Sequence, residues 1–401
     1  MNLNDDIQKE DISDFIDDLI SIAIERGASD IHIEPFDDYS KIRLRIDGKL
    51  NELMKFDSKK HQQVITKIKI LSGMDISERR LPQDGRIEIS KYENTDFRVS
   101  CINTINGEKI EIRVLSFSQF KKNSDLLGFS ENSKKLLKKV INSKSGMLIF
   151  SGPTGSGKTT SLYSLLEKVN TPQINIVTAE DPVEYNLEGI NQIEVKEEIG
   201  LTFDTILRSI LRQDPDIIMV GEIRDKKTAQ MAVRSAITGH LVLTTLHTDS
   251  ALSSIVRLKD LGIEEYLLAS SVDTVASQRL VRKLCDNCKK EDTMTESEYE
   301  TASFYFHNLD RKSKIFRPNR CDKCNNGYTG RVAVEEVFQL DKDTKSAIKS
   351  GNFSSNDLYE IARKNGFVNI MQRAIELVLE GVTSFEEINS ILYNYSIGEK
   401  E

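Results

Sequence analysis

Residues 147–160, MLIFSGPTGSGKTT, place in one contiguous stretch the groups needed to hold a phosphate chain. An apolar run at 147–150 reads as a buried parallel strand, which breaks into a glycine-rich turn and then a helix-forming segment, SLYSLLEKV. Gly152, Gly155 and Gly157 allow positive φ and close backbone approach, so successive N–H groups and the helix N-terminus point at one anion. Pro153, Thr154, Ser156 and Thr160 complete the loop. Lys158 adds a point charge for the β- and γ-phosphates, and the Thr159 hydroxyl can ligate Mg²⁺. The bland alternative is a surface turn before a helix. A full GxxxxGK[ST] match with its strand before and helix after outweighs it. The chemistry is binding of a nucleoside triphosphate.

Other residues of the right type follow apolar runs. After 174–179 come Glu180, Asp181 and Glu184; after DIIMV come Gly221 and Glu222; after LVLTTL comes His247. A carboxylate at a strand end beside the phosphate loop can activate the attacking water or hold Mg²⁺, and phosphoryl transfer needs both functions. Glu222 is the better base candidate, because Gly221 stands where an Asp commonly ends that strand, which makes water activation its first role. Any one of these acids is otherwise a first-turn helix carboxylate. His240 and His247 flank the 241–246 strand, as capping histidines or as γ-phosphate sensors. Cys285, Cys288, Cys321 and Cys324 form two CxxC knuckles about thirty residues apart. A redox dithiol and an iron–sulfur cluster are the alternatives, but paired knuckles favour a closed, structural Zn²⁺ site. Cys101, in an apolar strand, reads as a small buried hydrophobe.

The elements that must position these residues fall into two groups. Helical periodicity at 12–26 and 58–71, with alternating runs at 30–34, 41–46, 49–54, 86–90, 97–102 and 109–115, predicts a small α+β domain over 1–115 with an antiparallel sheet. Arg86, Arg98 and Arg113 fall on or beside its polar face. They are either solvated arginines or guanidinium groups offered to a neighbour's γ-phosphate, and the residues alone leave the two readings even. Residues 116–130 lose periodicity and read as a linker. From 131 to 401, runs at 147–150, 174–179, 216–220 and 241–246 alternate with helices. That predicts an α/β domain, a parallel sheet covered on both faces with its ligand crevice at the strand carboxyl ends.

Composition narrows the classes further. The 401 residues suffice for two or three domains, and a net charge of -8 argues against nucleic acid as a partner. No apolar segment is long enough to span a bilayer, and the acidic start MNLNDDIQKEDISD lacks the basic region of a signal peptide, so a cytoplasmic location is expected.

With these segments in order, the chain resembles the secretion ATPases that power type IV pilus assembly and type II secretion. The resemblance rests on GASDIHIEP at 27–35, RLPQDGR at 80–86, the phosphate loop, AEDPVEY at 179–185, LRQDPDIIMVGEIRD at 211–225, TGHLVLTTLHTDSA at 238–251 and the CxxC pairs. It implies a RecA-like P-loop C-terminal domain with a four-cysteine zinc subdomain at about 281–330 and a C-terminal helical region, preceded by a PAS-like N-terminal domain. It implies a cytoplasmic homohexamer that uses ATP, Mg²⁺ and Zn²⁺ and associates peripherally with the inner face of the cell membrane through an inner-membrane platform protein. By position it makes Lys158 and Thr159 the phosphate and Mg²⁺ residues, Glu222 the catalytic carboxylate, Glu180 and Glu184 the second acidic cluster, and His240 and His247 the histidine box. Arg98 and Arg113 become arginines acting on a neighbouring subunit. Assembly ATPases of this family often carry an additional N-terminal domain, whereas this chain begins almost directly with the arginine-bearing one. Retraction motors are short in the same way but typically lack the four cysteines, so the assembly and secretion branch is the expected one. A retraction or competence pseudopilus motor is the alternative, and a DNA translocase is more remote.

Overall fold

The first helix of the chain, α1 (Ile12–Glu25), buries Phe15, Ile16, Leu19, Ile20 and Ala23, a stripe with the period of an α-helix. Gly27 then turns the backbone at φ 66°. The computed structural model describes residues 12–89, 91–92, 95–116, 128–389 and 391, and the chain divides into two units, Met1–Asn123 and Ser124–Glu401. Of the linker expected at 116–130, residues 117–127 lie outside the described residues, as does Ser90 at the end of its expected strand.

In the first unit, β1 (Ala28–Pro35), β2 (Tyr39–Ile46) and β3 (Lys49–Asp57) form a meander. Asp47 and Gly48, both at positive φ, make its second turn. After α2 (Ser58–Leu71) come β4 (Gln83–Ile87), β5 (Thr95–Thr104) and β6 (Gly107–Ser116). The sheet is antiparallel, in the order β3-β2-β1-β6-β5-β4, and α1 and α2 share its apolar core with Ile31, Ile33, Phe97 and Ile112. Cys101 is buried there, as expected. Strand period 2 sends the polar residues to the other face. Register then aligns Arg45, Asp30, Arg113, Arg98 and Arg86 as successive cross-strand partners along one line.

The second unit opens with α3 (Glu131–Ile141), followed by β7 (Gly146–Ser151), α4 (Lys158–Val169), β8 (Ile176–Glu180) and β9 (Asn191–Glu194). Next are α5 (Phe203–Ile210), β10 (Ile217–Val220), α6 (Lys226–Ile237), β11 (Leu241–Leu246), α7 (Ser253–Asp260), α8 (Glu265–Ser271) and β12 (Val272–Leu284). The chain continues through β13 (Lys290–Thr293), α9 (Glu296–Tyr305), β14 (Lys314–Arg317) and β15 (Tyr328–Gln339), then α10 (Lys342–Lys349), α11 (Ser355–Lys364) and α12 (Ile370–Leu379). Seven strands build one sheet in the order β15-β12-β7-β11-β10-β8-β9. All neighbours run parallel except β12 and β15.

Four of these strands, β7, β8, β10 and β11, were legible as apolar runs. β12 and β15 were not, because they carry buried polar side chains, among them Gln278, Glu335 and Glu336. Such residues break an apolar run, and their burial is supported only by partners distant in sequence.

Candidate functional site

Parallel register brings the strand carboxyl ends to one edge. Ser151 of β7 lies opposite Leu246 of β11 and Ser277 of β12, while Val220 of β10 lies opposite Thr244 of β11 and Ala179 of β8. The residues just beyond, Gly152, Glu222, His247 and Gln278, therefore emerge side by side, which is where an open α/β sheet offers its crevice.

The loop 152–157 is shaped for an anion. Gly152, Gly155 and Gly157 have φ of 141°, 76° and 86°. A Cβ on Gly152 would stand 2.5 Å from the Gln278 carbonyl oxygen and 2.8 Å from Ser156 Oγ, so only glycine fits. Gly157 precedes α4 in the left-handed conformation with no side-chain cap from the described residues. The first-turn N–H groups of α4 thus face the loop. Ser156 Oγ is buried without a hydrogen-bond partner among the described residues. Pro153, Thr154 and Gly155 are exposed at the rim, and Thr159 and Thr160 are half-buried in the first turn of α4. Lys158 Nζ donates to the carbonyls of Gly152 at 2.7 Å and Pro153 at 3.1 Å. Burial, and next the charge of Arg279, push the Lys158 ammonium down to about 8 against the opposing pull of Glu222. A donor-rich loop with a buried, electrostatically strained cation fits a polyphosphate.

Glu222 emerges just beyond β10 at the same edge. Its carboxylate pairs closely with Arg224, and His247 Nε2 lies 3.3 Å from Oε2. Arg224 also donates to Asp181 at 3.2 Å. Two bonds lock the strand ends beneath it, Thr245 Oγ1 to the Gly221 carbonyl at 2.7 Å and the Ile223 N–H to the Thr245 carbonyl at 3.1 Å. Gly221 has a structural reason as well, since a Cβ there would press to 3.3 Å from the Ala179 carbonyl oxygen and Glu180 Cα.

The other expected residues have partners of their own. Glu180 is buried, with Oε1 accepting from Thr178 at 2.5 Å and Gln192 at 3.0 Å, while Oε2 accepts from Tyr163. Burial raises its pKa more than those bonds lower it. The geometry makes it an anchor between α4 and β8. Glu184 follows, its N–H donating to Tyr163 Oη at 3.3 Å. His240 stands at the amino end of β11, with Nδ1 3.0 Å from the Ser235 carbonyl, so the length of that strand separates it from His247. Arg98 and Arg113 belong to the first unit. Arg113 pairs with Asp30 at 3.1 Å and Glu111 at 3.4 Å, and Arg98 lies 3.7 Å from Asp96. Arg224 went unnoticed in the sequence, although its place two residues after Glu222 was a usable signal.

The four cysteine sulfurs lie within 4.8 Å of one another, with Cys285–Cys321, Cys288–Cys324 and Cys321–Cys324 at 3.9, 3.7 and 3.5 Å. A Zn²⁺ ion with bonds of about 2.3 Å requires tetrahedral edges of about 3.8 Å, so the set fits zinc. Four sulfur ligands on one ion would leave no open position for catalysis.

A largely parallel sheet with a glycine loop, its lysine and an ion-paired glutamate along one carboxyl edge defines a RecA-like P-loop ATPase. Within that class the chain belongs to the Type II/IV secretion system protein family, whose model matches residues 5–390. It is 43% identical over 380 residues to the type IV pilus assembly ATPase PilB of Pseudomonas aeruginosa, an alignment covering 94% of this chain and 67% of PilB. It is 40% identical over 392 residues to type II secretion system protein E of Aeromonas hydrophila, with coverage of 95% and 77%. The structure of the pilus retraction motor PilT with bound ADP superposes with a TM-score of 0.63 at 26% identity, covering 93% of this chain and 95% of PilT. The chain thus spans about two thirds of the length of the pilus assembly relatives. No helix among the described residues is long and apolar enough to cross a membrane.

Proposed function

We propose that the protein is a Mg²⁺-dependent ATPase that works as a homohexamer, driving assembly of pilin-like subunits through an inner-membrane platform protein from the cytoplasmic face. The observation that carries the reading is the shared edge of Lys158, Glu222 and His247 in a chain 43% identical to a pilus assembly ATPase. Lys158 and the α4 N-terminus bind the phosphates. Glu222 takes the proton of the attacking water, whose oxygen bonds to the γ-phosphorus as the bond to the β,γ-bridging oxygen breaks and ADP leaves. His247 holds the glutamate in place. The Thr159 hydroxyl, a hard oxygen donor, would hold Mg²⁺, which would supply charge neutralisation on the phosphates. In this reading residues 1–115 present Arg98 and Arg113 to a neighbouring subunit, 131–401 form the ATPase domain, and zinc holds the subdomain at about 281–330.

Deleting the gene tests the direction of work: loss of filaments is expected, whereas filament excess would assign the protein to retraction. Subunit mixing tests the arginines. Lys158→Ala subunits, which lose about 100-fold in ATP affinity with their charged donor, are combined with Arg113→Ala subunits. Mixed assemblies recover part of the hydrolysis if Arg113 acts on its neighbour. An unchanged rate at every ratio confines Arg113 to its own pairing with Asp30 and Glu111.

A further inference from the structure

Strand β12 carries two adjacent polar residues, Gln278 and Arg279, that no part of the phosphate-loop motif calls for. Gln278 is fully buried and clasps the loop to its helix, with Oε1 accepting from Ser161 Oγ at 2.8 Å and Nε2 donating to the Ser156 carbonyl at 2.7 Å. Arg279 runs along the loop on the other side. A Cβ built on Gly152 would stand 3.1 Å from its Nη1. Nη1 also donates to the Gln278 carbonyl at 3.1 Å, and Nη2 donates to the Asp249 carbonyl at 2.9 Å. The Asp249 carboxylate, 3.6 Å away, is almost wholly exposed and so offers little pairing energy. The guanidinium therefore lies beside the first glycine of the loop and is bonded to the turn that begins at His247.

That turn is gripped again two residues later. The Ala251 N–H donates to Glu336 Oε1 at 2.6 Å, and the other oxygen of this buried carboxylate accepts from the Ile370 N–H at 2.9 Å. Residues 247–251 are thus suspended between Arg279 on the phosphate side and Glu336 on the side of α12. A guanidinium has five donors in a rigid fork, enough to keep the Asp249 carbonyl while meeting a phosphate oxygen. Two cations, Lys158 and Arg279, crowd one loop, and an anion placed there relieves their repulsion.

We propose that Arg279 is a positioning residue of the nucleotide site, contributing positive charge beside Gly152 and transmitting phosphate occupancy through the Asp249 carbonyl to the turn that carries His247. The inference rests on the ATP-site reading above.

The test is the affinity of a non-hydrolysable ATP analogue at pH 7, with hydrogen exchange of the 247–251 amides in the saturated protein. Arg279→Ala should bind about 10-fold more weakly, and analogue-induced protection of the turn should disappear. Arg279→Lys, which keeps the charge but not the fork, should bind within a few-fold of the wild type and still lose protection of the turn. Wild-type affinity and protection in Arg279→Ala would overturn the proposal. If the alanine variant is unstable, the lysine variant decides, and full protection of the turn in it would be equally fatal. Failure of the wild type itself to bind the analogue would instead remove the ATP-site reading.

Discussion

Glu222→Gln should bind ATP within a few-fold of the wild type and hydrolyse it at least about 100-fold more slowly, the scale of general-base catalysis. The substitution keeps the size of the side chain and one oxygen for Arg224 or His247, while removing the lone-pair basicity that water activation requires. Binding depends on other groups: the loop glycines, the α4 N-terminus and Lys158. Because Glu222 supports the Lys158 charge, affinity should be compared at pH 7, below the value of about 8 at which that ammonium titrates. Isothermal titration with a non-hydrolysable analogue and steady-state phosphate release separate the two effects. A normal kcat in Glu222→Gln would move the base elsewhere, and Asp181, tied to the same Arg224, would be examined next.

Removing the metal from the cysteine cluster should be the largest structural perturbation available in this chain. The cysteines flank an excursion between β12 and β15, two strands that pair along most of their length. Cys285 directly follows β12, its N–H bonded to the Gly327 carbonyl, and Leu284 bonds onward to Val382. Structural zinc sites hold about 10–16 kcal/mol of apparent binding free energy. Chelation, or Cys288→Ser, should therefore release the segment from 285 to 328 and the C-terminal helices that share its small core, including Ile370, Ile375 and Ile388. The sheet around β7 has a separate core and should persist. Elemental analysis should find one zinc per chain, and hydrogen exchange after chelation should deprotect this segment while the strands β7, β10 and β11 stay protected. Iron in place of zinc, or no metal at all, would refute the assignment.

Much of this site was legible before any fold was known. The phosphate loop is local: strand, glycine turn, lysine and helix follow within about fourteen residues, and the positive φ values at Gly152, Gly155 and Gly157 are those their spacing calls for. The cysteine knuckles are local in the same sense, each a short turn with two sulfurs. Glycine conformation, strand and helix periodicity and motif spacing act over a few residues, so the residues themselves carry the information.

Which acids and histidines meet was another matter. Glu180 and Glu222 each follow an apolar run in the sequence, and neither run shows which partners its acid meets. One closes a buried network with Tyr163, Thr178 and Gln192, while the other pairs with Arg224 and His247. His240 and His247 flank one strand, and the strand's length sends them to opposite ends. Arg86, Arg98 and Arg113 become cross-strand neighbours only through register, and Gln278 and Arg279 come against the phosphate loop only because β12 pairs with β7. Local sequence set the loop, the helices and the metal knuckles, because short-range geometry decides them. The tertiary structure alone decided which charged groups share a site, because strand pairing and burial join residues whose separation along the chain carries no signal of their contact.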